Sequence, residues 1–97
     1  MRSMKFSEIP FHPYNAAGAH GVSARIHFNN GYGLSIVRVY DDLNGDSHGA
    51  EEGLYEAAVL KNGGMCYNTH ITGFEKKVIG YLSESDVEKL IDEVNKL

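Results

Sequence analysis

Ninety-seven residues, 42% hydrophobic and 23% charged, suffice for one core and no second domain. No apolar run approaches the roughly 20 residues that a membrane-spanning helix needs, so a transmembrane helix is excluded. Nine Lys and Arg against thirteen Asp and Glu give a formal charge of −4, which argues against general DNA or RNA binding by phosphate neutralisation.

Residues 1–21 read as an extended arm. Both prolines, Pro10 and Pro13, fall here with Gly18, Gly21 and the small-residue run Ala16-Ala17-Gly18-Ala19, and Phe6, Ile9, Phe11 and Tyr14 are apolar enough to pin it across a sheet. Arg2 and Lys5 precede no apolar stretch of the kind a secretory signal carries, so the expected location is the cytosol. The lone cysteine, Cys66, cannot close an internal disulfide and fits the same reducing compartment.

Residues 22–82 read as an antiparallel sheet of about four strands in two hairpins. Val22, Ala24, Ile26 and Phe28 alternate with Ser23, Arg25, His27 and Asn29, the period of a half-buried strand. Asn29-Asn30-Gly31 turns the chain into a second strand, Tyr32 to Tyr40. That strand is apolar on both faces at Ile36-Val37, so one face is expected against a helix and the other against the arm or a second copy of the chain. The polar run from Asp41 to Gly53 reads as a long surface loop. Leu54 to Lys61, the turn Asn62-Gly63-Gly64 and Met65 to Thr69 make the second hairpin; Ile71 to Lys77 connects, and Val78 to Leu82 approaches the last element.

Residues 83–97 read as a helix. Ser83 is its N-cap, Glu84 and Asp86 stand in the first turn, and Val87, Leu90, Ile91, Val94 and Leu97 recur at helical spacing. Leu82 before the cap and Val87 after it form a hydrophobic staple. The fold class is therefore α+β. A core this small buries only roughly 60–65% of the unfolded chain's surface, and a symmetric dimer is the simplest way to bury more.

Several chemical patterns fall short. Asp42, Asn44 and Asp46 stand at alternate positions as in a calcium loop, but Ser47 replaces the turn glycine and Gly53 the bidentate glutamate. His12, His20, His27, His48 and His70 show no ligand spacing, and Cys66 with His48 or His70 is an isolated nucleophile candidate on a strand. Gly31-Tyr32-Gly33 precedes a strand, not a helix, and makes no phosphate loop. No metal, cofactor or catalytic group is expected.

Arginines and aromatics remain. Arg25 and His27 lie on the polar side of their strand, Tyr32, Arg38 and Tyr40 share one side of the next, and Tyr55 stands on the third. Together they are the candidate site for an anionic nucleotide-like ligand, with arginine forks on phosphate and tyrosine rings on a base. On the residues alone, ordinary cross-strand pairing of Arg25 or Arg38 with Glu56, with the tyrosines lying over the sheet, is the favoured reading.

Asn30-Gly31-Tyr32-Gly33-Leu34-Ser35-Ile36-Val37-Arg38, Gly53-Leu54-Tyr55-Glu56-Ala57-Ala58-Val59-Leu60, Tyr67-Asn68-Thr69-His70-Ile71-Thr72 and Val78-Ile79-Gly80-Tyr81-Leu82 occur in an order that resembles a group of small bacteriophage accessory proteins. The likeness spans most of residues 22–97, while the acidic loop is longer than in that group. It implies an anti-defence role in the host bacterial cytosol. One form is a non-catalytic, oligomeric protein that sequesters a nucleotide signal, similar in style to the Thoeris and CBASS antagonists. The alternative is a protein inhibitor of a defence enzyme, anti-CRISPR-like or a DNA mimic.

Overall fold

A computed structural model describes residues 4–43, 45–47, 49–62, 64–65 and 79–96. Asn44, His48, Cys66, His70, Leu97, the resembling segment Tyr67 to Thr72, the connection Ile71 to Lys77 and the second hairpin beyond Met65 lie outside the described residues. The chain runs through a 3-10 turn (Phe6–Glu8), β1 (His12–Ala16), β2 (Ala19–His27), β3 (Tyr32–Asp41), a second 3-10 turn (Ala50–Glu52), β4 (Tyr55–Lys61), β5 (Gly64–Met65), β6 (Ile79–Leu82) and α1 (Glu84–Asn95). All pairings are antiparallel, in the order β1-β2-β3-β4, with β5 and β6 both on the outer edge of β4.

The chain is thus an α+β protein, an antiparallel sheet closed by a C-terminal helix, with six strands among the described residues instead of about four. Part of the expected arm is β1, and β2 begins at Ala19 instead of Val22. Every residue of β1 is exposed, so it carries no alternation to read; only its ladder to β2 makes it a strand. The Asp42 N–H donates to Gly18 O at 2.8 Å, which sets the phase: even residues of β2 bond to β3 and odd ones to β1. Pro13 and Asn15, opposite even residues Val22 and His20, therefore turn their backbone groups outward. Proline has no donor there, which blunts this edge against strand addition.

The core lies on one face of the sheet. Ala24, Ile26, Leu34, Ile36, Ala57 and Val59 meet Val87, Leu90, Ile91 and Val94 of α1, and Leu34, Ile36, Val59, Val87, Ile91 and Val94 are each less than 2% exposed. Burying such side chains contributes roughly 1.5–3 kcal/mol each before entropy is counted. Ser83 Oγ accepts from the Asp86 N–H and the Asp86 carboxylate accepts from the Ser83 N–H, both at 3.1 Å, a reciprocal cap. These bonds hold the Asp86 carboxyl below its ordinary value, the Ser83 backbone N–H contributing most. At the other helix end Asn30 Nδ2 donates to Val94 O at 3.0 Å, so the β2–β3 turn satisfies an orphan carbonyl of α1.

Of the two covers expected for the face opposite the helix, the arm or a second copy, the arm is not one: Ile9 is in the core and Phe6 and Phe11 pack beside it, with the Phe6 N–H donating to Glu88 Oε2 at 2.6 Å. Apolar Phe6, Ile9 and Phe11 follow the core, leaving Val37 and Val39 half-buried on the open face. Nor is the 41–53 segment all surface loop. Its Ala50 is fully buried, and the Val39 N–H donates to Ser47 Oγ at 2.9 Å. Small residues allow this packing where the polar composition hid it.

Candidate functional site

Directly paired residues of an antiparallel sheet share a face. Ala24 pairs with Ile36 on the helix side, whereas Arg25 pairs with Ser35 and His27 with Gly33 on the open side. Arg25 and His27 are therefore exposed on the face opposite Tyr32, Arg38 and Tyr40. Tyr32 shares a face with Arg38 but stands six residues away, about 20 Å along the strand, where the Lys61 ammonium lies 5.2 Å from its ring centre. Of the six residues expected to act together, the fold brings Arg38, Tyr40 and Tyr55 to one end of the helix-side face and separates the other three.

Arg38 is central to this patch. The β3–β4 register, whose last pair is Val37 and Glu56, places Arg38 across from Tyr55. Its guanidinium carbon is 5.0 Å from the Tyr55 ring centre, and Nη1 donates to the Tyr55 hydroxyl at 3.2 Å, with Gly53 O at 3.5 Å. Arg38 Nε is buried with no hydrogen-bond partner, and no carboxylate of the described residues pairs with this guanidinium. A buried donor without a partner carries a desolvation cost of roughly 1–3 kcal/mol and calls for an explanation.

Neighbouring aromatics fix the position of Arg38. Tyr55 is 6% exposed and packs against Phe6, at 5.2 Å between ring centres, and Phe11, at 5.5 Å, which also meet each other at 5.5 Å. On the other side the Tyr40 hydroxyl donates to Ala50 O at 2.8 Å, while its ring stacks on His20 at 5.3 Å with 21° between planes. β2 and β3 approach closely here: a Cβ at Gly21 would run into the carbonyl of Arg38. His20 was not among the expected site residues, although it continues the even-numbered phase of Val22, Ala24 and Ile26 one step upstream.

A second feature borders the same 3-10 turn. Asp46, Ser47, Gly49, Glu51, Glu52 and Tyr81 line a cleft of about 280 Å³, whose carboxylates disfavour an anion. Among the described residues, no three His, Cys, Asp or Glu side chains are grouped to hold a metal ion. No family model, curated protein or solved structure matches the chain.

Proposed function

We propose that the protein is a non-catalytic binding protein that captures an anionic, nucleotide-like ligand on the Arg38, Tyr40 and Tyr55 patch. The supporting observation is the half-buried Arg38 guanidinium, which is oriented by Tyr55 and has no carboxylate partner among the described residues. An incoming phosphate oxygen supplies a charge-assisted acceptor at its Nη end, since Nε is buried out of a ligand's reach. The partly exposed Tyr40 ring offers a stacking surface beside it. The resemblance to small phage proteins makes the natural ligand a host defence signal, held and not turned over.

An inhibitor working through protein contacts is the competing reading, and the acidic Asp46, Glu51 and Glu52 cleft favours it. Thermal unfolding with and without cyclic nucleotides, followed by chromatography of the released ligand, separates the two. Capture raises the melting temperature and returns the nucleotide intact. A changed nucleotide indicates an enzyme, and no shift with any nucleotide favours the inhibitor.

A further inference from the structure

We propose that the open face of the sheet, opposite α1, is an interface with a second copy of this chain. Val37 and Val39 lie at the centre of that face, paired with Ser23 and Gly21 of β2, and Tyr14 of β1 stands beyond Gly21 with 39% of its surface exposed. A sheet face left to water carries long polar side chains. This one is paved with small residues, from which Val37, Val39 and Tyr14 project. Both valines are only half-buried, and the apolar residues of the arm that lay within reach of them, Phe6, Ile9 and Phe11, go to the core instead. Farther along the same face Ala58 and Leu60 are already buried within the chain, so the free area is the end that holds the valines.

Charge identifies the occupant. Arg25, exposed on β2, and Glu56, half-buried on β4, flank the valines from opposite sides of β3, roughly 12 Å apart at strand spacings. A twofold axis running along β3 between two such faces lays β2 of each protomer over β4 of the other. Val37 then meets its own copy, and on either side Arg25 comes within one pair step of Glu56 of the partner subunit, a gap its long side chain spans. The face is complementary to itself, as an isologous contact requires, and two sheets packed this way lie about 10 Å apart. Four strands wide and roughly 20 Å long, the free area buries about 1,000 Å² in total, the low end for a specific contact, so the dimer is weak and reversible. Arg38 lies on the helix side, so the dimer presents two outward patches and its existence does not depend on nucleotide binding.

Sedimentation equilibrium of the full chain, from about 1 μM to about 500 μM, should give a mass that rises from one protomer toward two. Val37→Asp, which sets a carboxylate at the centre of the contact, should stay a monomer throughout while keeping the wild-type circular dichroism. Arg25→Glu should weaken association about threefold to tenfold, and Arg25→Glu combined with Glu56→Arg should restore it. The charge exchange carries the test alone where Val37→Asp does not fold. A wild-type chain that is monomeric at the highest concentration, a folded Val37→Asp that dimerises as wild type does, or an exchanged pair that associates no better than Arg25→Glu overturns the inference.

Discussion

The Arg38 guanidinium and the Tyr55 side chain form one unit: the charge lies 5.0 Å from the ring centre while Nη1 donates to the ring's own hydroxyl at 3.2 Å. Tyr55 is fixed in turn by Phe6 and Phe11, so the arm, β3 and β4 jointly determine where the cation points. Replacing Tyr55 with Phe keeps the ring and removes the acceptor. Urea melts should show a loss of about 1–2 kcal/mol, and any nucleotide affinity should fall several-fold because Arg38 is no longer aimed. Unchanged stability and affinity would mean that the hydroxyl does not orient the guanidinium.

Gly21 tests how closely β2 and β3 must approach beside this unit. A methyl group there meets the Arg38 carbonyl and the Val39 backbone, so Gly21→Ala must separate the strands. Overpacking of this kind costs roughly 1–3 kcal/mol. A chemical-denaturation midpoint equal to that of wild type would contradict the close approach.

Leu90, 4% exposed in the helix contact, should be a costly residue to truncate. Leu90→Ala leaves a cavity and is expected to lower stability by roughly 2–5 kcal/mol, a large share of what a domain of this size possesses. A loss well under 1 kcal/mol by equilibrium unfolding would mean that α1 is not seated on the sheet as described.

The Ser83 and Asp86 cap carries a pH signature. Because hydrogen bonds from Ser83 hold the Asp86 carboxyl below its ordinary value, its contribution is present above the unfolded carboxylate value and is lost as pH falls through the lower folded one. Helicity followed by circular dichroism should decline over that acid window, and Asp86→Asn should remove this part of the decline. Ser83→Ala should cost about 1 kcal/mol at neutral pH. A neutral-pH melt unchanged by Ser83→Ala would show that the cap is not formed.

The helix was legible because its apolar positions, cap and staple are all local signals, and Val87, Leu90, Ile91 and Val94 are indeed buried. The β2–β3 hairpin was legible from alternation. β1 was not, since a fully exposed edge strand with Pro13 leaves no periodic trace, and Ala50 was hidden inside a polar run. The candidate site was half legible: the shared phase of Arg38 and Tyr40 is written in the strand, but which face Arg25 and His27 take relative to them depends on the cross-strand register. That register comes from a turn, and no spacing within one strand contains it.

The central claim separates two arginines that composition treats alike, and calorimetric titration of cyclic dinucleotides and cyclic ADP-ribose isomers against wild type, Arg38→Ala, Arg38→Lys and Arg25→Ala tests it most directly. A charge-assisted contact of roughly 1.5–3 kcal/mol implies that Arg38→Ala weakens binding about tenfold to a hundredfold. Arg38→Lys should recover only part of this loss, because a single ammonium cannot reproduce the planar fork. Arg25→Ala, on the open face, should bind as wild type does. Binding that is lost in Arg25→Ala and kept in Arg38→Ala, or no nucleotide binding by wild type, would contradict the account.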